Sequence, residues 1–503
     1  MLKIFHPWLL AIFPTLFLFQ HNMDQANFSE TIVPVIITIV GTAILWGLLL
    51  LLMKDADKSA VLTSLFLVLF FSFGHIYTLV QISYGTLLCT QGVLFLIAFY
   101  VCLKMKQSFQ GVRSFLNVSS TVLVALSVFN CVWFLYSAKE FKSPQSVVDN
   151  GQKDVLQKPD IYYIVVDGYA RQDVLKDLYH YDNSPFVSFL EDNGFFVAQK
   201  SRSNYPQTYL SLASSLNLTY LNHLRVQLGK SYRSRTPLKR MIYENSVAYF
   251  LKKHGYKLTA FSSGYSGTEL TNADSYLAAN RYPISEFQRV LMNVTPLVRV
   301  SHAPLLNLVA EGNHVAHRKR ILYTLDKLGH LENESPTFVF AHIVCPHPPF
   351  VFDSEGKIPP HTFALKDGHR KQGEDVAVYI KSYREQVNFL NGKLQQAVTQ
   401  ILQKSREAII MIQADHGPSL QIDSNDYKAA NCTEKFSILN AYYFPNKKYE
   451  NLYPEISPVN SFRVVFHEYF STELKLLPDK SYFASWAYPY DFIELSEENF
   501  EKK

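Results

Sequence analysis

The sequence predicts an α/β domain carried behind an N-terminal bundle of five transmembrane helices. Three observations carry that expectation. Apolar residues dominate as far as Tyr136, and from Ser137 the chain reads as a water-soluble protein. Short β-favouring runs then alternate with helical patterns, which implies a mostly parallel sheet between helices. Several of those runs end in residues able to bind a cation. At 503 residues the chain has room for more than one structural unit. Its formal charge of +5 is scattered and forms no basic stripe, so nucleic acid is not expected as a partner.

Residues 1–136 read as the anchor. Ile4–Gln20, Thr31–Met53, Val61–Ile82, Thr86–Leu103 and Phe115–Tyr136 contain no Asp, Glu, Lys or Arg. A helix needs roughly 20 apolar residues to cross a bilayer, a length the second, third and fifth stretches meet. The first is short, but Phe19-Gln20-His21-Asn22 is not a small-residue cleavage site, so it is read as a span. Lys3, Lys54, Lys58, Lys104, Lys106 and Arg113 fall at the amino terminus or in alternate loops. The loops around Asn22–Glu30 and Ser83–Gly85 carry no Lys or Arg. Basic loops stay cytoplasmic, so five crossings would leave everything beyond Tyr136 outside the cytoplasm. Cys345 and Cys432 are the cysteines beyond the anchor, and spacing leaves their pairing open.

Residues 137–158 are polar and read as a linker, leaving 159–503 as one domain. Ile161–Val166 is a continuous β-favouring run ending at Asp167-Gly168, and similar runs occupy Leu258–Phe261, Thr337–Ile343 and Ala408–Ile412. Helical patterns cover Tyr209–Leu221, Pro237–Lys253 and Tyr379–Leu402. In such sheets ligands gather at the carboxyl ends of strands. There the sequence offers Asp167, then His342 with His347 beyond it, then Asp415-His416-Gly417. Asp-Gly alone is usually a turn, and a lone His in a Pro-rich loop is usually structural. Adjacent carboxylate and imidazole are more specific, because both reach one cation. Their coincidence on one sheet edge favours a metal site. Thr208 follows Pro206 where a helical pattern begins. It reads either as an ordinary N-cap or as a hydroxyl presented with free N–H groups to an anion.

The order Asp-Gly, Thr-x-x-Ser opening a helix, His-containing loop, Asp-His-Gly resembles the alkaline phosphatase superfamily, most closely its sulfatase-like branch. The resemblance runs from about Pro159 to Phe470 and includes Asn460-Ser461-Phe462-Arg463. Five spans followed by such a domain resemble lipoteichoic acid synthases and phosphoethanolamine transferases. That resemblance implies an alkaline-phosphatase-like domain outside the bacterial cytoplasmic (inner) membrane. It implies one divalent metal ion, Zn²⁺ or Mn²⁺, with Asp167, Thr208, Asp415 and His416 as ligands and Thr208 as nucleophile. His342 and His347 match a pair on the substrate side, although the further His expected after Gly417 is absent. Sulfatases carry Cys or Ser at the Thr208 position and Arg at that of Leu212, and neither is present. His342 stands where two-metal phosphodiesterases place an Asp, which points to a single metal. The implied reaction moves a phospholipid headgroup phosphate, phosphoethanolamine or phosphoglycerol, to an envelope glycan or lipid through a phosphothreonine. A hydrolase with water as acceptor would use the same ligands.

Overall fold

A computed structural model describes residues 4–23, 26–80, 82–139, 158–279, 285–297, 312–332, 336–360, 370, 375–405, 407–420, 427–428 and 430–501. Most of the expected linker lies outside the described residues. The chain divides into two compact units, Met1–Phe141 with Tyr282–Asn313, and Lys142–Arg281 with His314–Lys503.

The first unit is helical. Its helices are α1 (His6–His21), α2 (Ser29–Met53), α3 (Ala56–Val80), α4 (Tyr84–Lys104) and α5 (Gln110–Lys139). Large apolar side chains such as Ile37, Leu51, Leu96 and Phe129 are exposed on the outside, as for helices bathed in lipid. Polar groups turn inward instead. The His6 Nδ1 and Ser64 Oγ lie 2.6 Å apart, and Asn117 Oδ1 accepts from the His6 N–H at 3.1 Å. The helices α2 to α5 are long and apolar enough to cross a membrane. Helix α1 has 16 residues and an internal Pro14, and rises only about 24 Å. The expected five spans are thus five helices, four of them of spanning length, and the chain reads as membrane-anchored.

One part of this unit departs from the expected division. Residues between strands of the second unit, including the helix Glu286–Asn293, belong with the bundle rather than with 159–503. Apolar patterning along a single strand–helix series gives no sign of such an excursion.

The second unit is built on a seven-stranded sheet. Its strands are β1 (Ile161–Val166), β2 (Phe196–Val197), β3 (Lys257–Phe261), β4 (Ser275–Leu277), β5 (Thr337–Ile343), β6 (Ile409–Gln413) and β7 (Asn440–Tyr443), in the order β2-β7-β6-β1-β5-β3-β4. The five from β6 to β4 run parallel, and β7 and β2 add an antiparallel edge. The short β2, β4 and β7 were not among the runs expected from sequence. Strands β1, β5 and β6 are buried along their whole length, which is why they read as unbroken apolar runs.

Helices cover both faces. Tyr383, Val387 and Leu390 of the helix Val376–Lys404 join Ile321 and Leu325 of the helix Gly312–Gly329 in the main core. Across the sheet Phe462, from the helix Pro458–Phe470, packs edge-on to Tyr163 at 5.1 Å. The pattern Pro237–Lys253 is two helices, Thr236–Tyr243 and Ser246–Lys253. Asn245 separates them because its side chain accepts from the Ala248 N–H and starts a new helix.

Candidate metal centre

The register sets the site. Val165 and Val166 pair with His342 and Ile343, and Val165 also pairs with Gln413. The next residues of β1 and β6 therefore leave the sheet side by side, bringing Asp167 next to Asp415 and His416. The three offer ligand atoms within 4.8 Å of one another, and all three are buried. Gly417 is demanded by packing, since a Cβ there would collide with the carbonyl of Glu434.

Each residue is held by identifiable partners. One Asp415 oxygen, Oδ1, accepts from the His416 N–H at 2.9 Å and the Gly168 N–H at 3.3 Å. Among the described residues the other, Oδ2, has no hydrogen-bond partner, and neither has Asp167 Oδ1. His416 Nδ1 lies 2.8 Å from the Gly417 carbonyl, an acceptor, so Nδ1 carries the proton and Nε2 presents its lone pair. That Nε2 stands 3.6 Å from Asp167 Oδ1 and 3.6 Å from Asp415 Oδ2. Two bare carboxylate oxygens and an imidazole lone pair converge in a buried space. Left alone, such groups repel one another and lack the water that would solvate them. The donor set fits a divalent cation such as Zn²⁺ or Mn²⁺.

Charge at the site follows from burial and neighbours. Burial pushes the Asp167 carboxyl up, but the imidazoles of His347, His342 and His416 together hold it well below the usual carboxylate range. Burial lowers His416, against the pull of Asp415, and so favours the neutral ring that a metal needs.

Thr208 is the first residue of the helix Thr208–Ser215, and the N-cap position belongs to Gln207, whose side chain does not cap it. Its hydroxyl lies instead 3.3 Å from His416 Nε2. Ser211, the second member of Thr-x-x-Ser, donates its hydroxyl to the Asp415 carbonyl at 2.5 Å. One turn of helix thus fastens Thr208 to the strand that carries the ligands.

His342 is 1 % exposed, with Nε2 3.4 Å from Asp167 Oδ2. Its other ring nitrogen lies 2.8 Å from the Thr268 hydroxyl. His342 is therefore placed beside a candidate ligand, not on an open substrate surface. His347 is half-buried with its ring 6.2 Å from that of His416, its backbone N–H donates to the Asp167 main-chain carbonyl at 3.0 Å, and its Nδ1 lies 2.6 Å from the Pro348 carbonyl.

Some contributors were missed in the sequence. Gln386 donates to the Pro346 carbonyl at 3.1 Å and accepts from the Val351 N–H at 2.7 Å, so it pins the loop bearing His347. Tyr265 and Thr268 follow β3, whose carboxyl end shares this edge; that position was the available signal. Tyr265 packs 5.2 Å from Tyr209 and 6.4 Å from His342. Arg235 stacks 3.7 Å over Trp486 and reaches Gln207, next to Thr208, at 3.5 Å. Nothing in its local sequence marks it. Cys345 and Cys432 are both free, buried thiols.

The sulfatase family model matches residues 159–462, more than half of the chain. The chain belongs to the sulfatase family. No curated protein matches the sequence. Among solved structures it is similar to the C-terminal periplasmic domain of EcEptC from Escherichia coli in complex with Zn, at 11% identity over 69% of this chain and 95% of that one, with a TM-score of 0.43. It is similar to the integral membrane lipooligosaccharide phosphoethanolamine transferase A (EptA) from Neisseria meningitidis at 13% identity, covering 93% and 95% of the two chains, with a TM-score of 0.41. It is also similar to a phosphonate monoester hydrolase of Agrobacterium radiobacter at 11% identity, covering 65% and 80%, with a TM-score of 0.41.

Proposed function

We propose that this sulfatase-family chain is a membrane-anchored phosphotransferase that moves a phospholipid headgroup phosphate to an envelope glycan or lipid. The transferred group is phosphoethanolamine or phosphoglycerol, and the domain works outside the bacterial inner membrane. The observation that carries this reading is the Thr208 hydroxyl, 3.3 Å from His416 Nε2 at the rim of the buried Asp167–Asp415–His416 group. A family member with Thr at this position cannot form the aldehyde nucleophile that a Cys or Ser precursor supplies. An alcohol nucleophile suits a phosphate ester.

Asp167, Asp415, His416 and Thr208 would hold one divalent ion. When bound, the ion lowers the pKa of the Thr208 hydroxyl and offsets negative charge on the substrate phosphate. The chain supplies the rest. The helix beginning at Thr208 turns its free N–H groups and positive end toward an anion. His347, with its ring 6.2 Å from that of His416, would face the substrate phosphate. In the first half-reaction the bond from Thr208 Oγ1 to phosphorus forms as the diacylglycerol–phosphorus bond breaks, and the hydroxyl proton ends on diacylglycerol. In the second an acceptor hydroxyl takes the phosphoryl group, and Thr208 regains a proton.

The test uses headgroup-labelled phospholipid and native envelope material with the full chain. The expected products are diacylglycerol and a labelled glycan or lipid. Labelled headgroup phosphate freed to water, with no labelled acceptor, would identify a hydrolase instead.

A further inference from the structure

We propose that residues 285–297, which leave the catalytic chain between β4 and β5, are a plug that docks into the membrane bundle and holds the domain to lipid-borne substrate. The second half of this statement rests on the transferase reading; the docking does not.

The helix Glu286–Asn293 starts at a capping box, in which the Ser285 side chain accepts from the Gln288 N–H and the Gln288 side chain accepts from the Ser285 N–H. At eight residues it is too short to persist in water by itself, so its stability must come from what it packs against. Phe287 and Leu291, one turn apart, supply the buried face. Phe287 meets Phe19 at 6.3 Å and shares a cluster with Ala26. Leu291 is buried among Ala11, Leu67 and Phe71.

The end of the segment is fitted just as closely. A helix end leaves carbonyls without partners, and near lipid no water stands ready to serve them. Here the bundle supplies donors. The Gly74 N–H donates to the Val294 carbonyl at 3.0 Å, and the Tyr84 hydroxyl donates to the Pro296 carbonyl at 2.7 Å. Gln288 donates in turn to the Glu30 carbonyl at 3.1 Å. Gly74 sits within α3, where glycine weakens a helix, and no turn requires it. Any Cβ there would collide with the backbone of Asn293 and Val294. The glycine marks a seat.

Sidedness agrees. Phe19 is near the end of α1, Glu30 at the start of α2, Gly74 toward the end of α3 and Tyr84 at the start of α4. All belong to the end of the bundle whose loops carry no Lys or Arg, and α5 also finishes there. The chain therefore passes between its two units three times, near residues 141, 281 and 313. A single flexible linker would let the domain wander over a volume set by linker length; added attachments raise the effective concentration of a membrane substrate.

The experiment uses the full chain in phospholipid vesicles, comparing it with Gly74→Leu and, in case that change disturbs insertion, with Phe287→Ser/Leu291→Ser. Trypsin cleavage at Arg289 reports docking, and two substrates report its consequence. Cleavage should accelerate in both variants. The kcat/KM for phospholipid should fall about tenfold or more, while turnover of a soluble aryl phosphodiester stays at the unmodified rate. Unaccelerated cleavage overturns the docking. Accelerated cleavage with unchanged phospholipid turnover, or with an equal loss on the soluble ester, overturns the positioning role. An unmodified chain that cleaves the soluble ester but releases no diacylglycerol defeats the transferase reading, and the protease result still decides the docking.

Discussion

Two buried polar clusters lie on either side of Gly168, and their hydrogen bonding differs. On one side the Tyr169 hydroxyl donates to Asn391 Oδ1, Asn391 donates to Asn183 Oδ1 at 2.8 Å, and Asn183 donates back to Tyr169 at 3.1 Å. Tyr383 joins by donating to the Gly168 carbonyl at 2.8 Å and accepting from the Ala170 N–H at 3.1 Å. This cluster is neutral and each of these side-chain atoms has a partner within it, with Asn391 also reaching the Tyr181 hydroxyl at 3.4 Å. On the other side Asp167 Oδ1 and Asp415 Oδ2 have no hydrogen-bond partner among the described residues. Both clusters are equally hidden from water. A closed network rigidifies the turn after β1, whereas bare donors of negative charge demand something from outside the chain.

The largest expected effect removes the hydroxyl and leaves the cluster alone. Thr208→Ala should lower phospholipid turnover by about 10⁴-fold or more, because a covalent step loses its nucleophile. Metal content, read by elemental analysis, should remain. Next, Asp415→Asn or His416→Ala should lower bound metal and turnover together, by roughly 10²-fold or more, since each removes a ligand. An inactive variant with full metal would detach these residues from the cation.

The closed cluster should answer differently. Stripping metal with a chelator should cost the unmodified domain about 3 kcal/mol of stability relative to metal at a hundred times its Kd. Asp415→Asn should abolish that difference. By contrast, Asn391→Leu leaves the Asn183 carbonyl and the Tyr169 hydroxyl short of partners. It should cost about 2 kcal/mol with or without metal, measured by thermal unfolding, and leave metal stoichiometry unchanged. A metal loss in Asn391→Leu would erase the distinction between the clusters.

The bare cluster was far more legible in the sequence than the closed one. Asp167, Asp415 and His416 follow apolar runs directly, and parallel register brings such positions together. Thr208 was legible because a helix start is a local pattern. Its partner Ser211 stood in the same motif, yet its bond to Asp415 is tertiary. Asn183, Gln386 and Asn391 carry no pattern, since an amide on or beside a helix shows its role only when its partners are known. The strands β2, β4 and β7 are too short to stand out from loops. The segment 285–297 was hidden for another reason. Its apolar residues face the bundle rather than the sheet, and periodicity names a buried face without saying what buries it. The anchor shows the same limit: composition found five helices, while length left α1 short of a span.

The most direct test is the intact mass of the purified full chain after incubation with one defined phospholipid and no acceptor. The account predicts a single adduct whose mass equals the phosphorylated headgroup, mapped to the peptide containing Thr208, absent from Thr208→Ala and discharged when acceptor is added. An active preparation that carries no adduct, or carries it on another residue, would contradict the covalent role of Thr208.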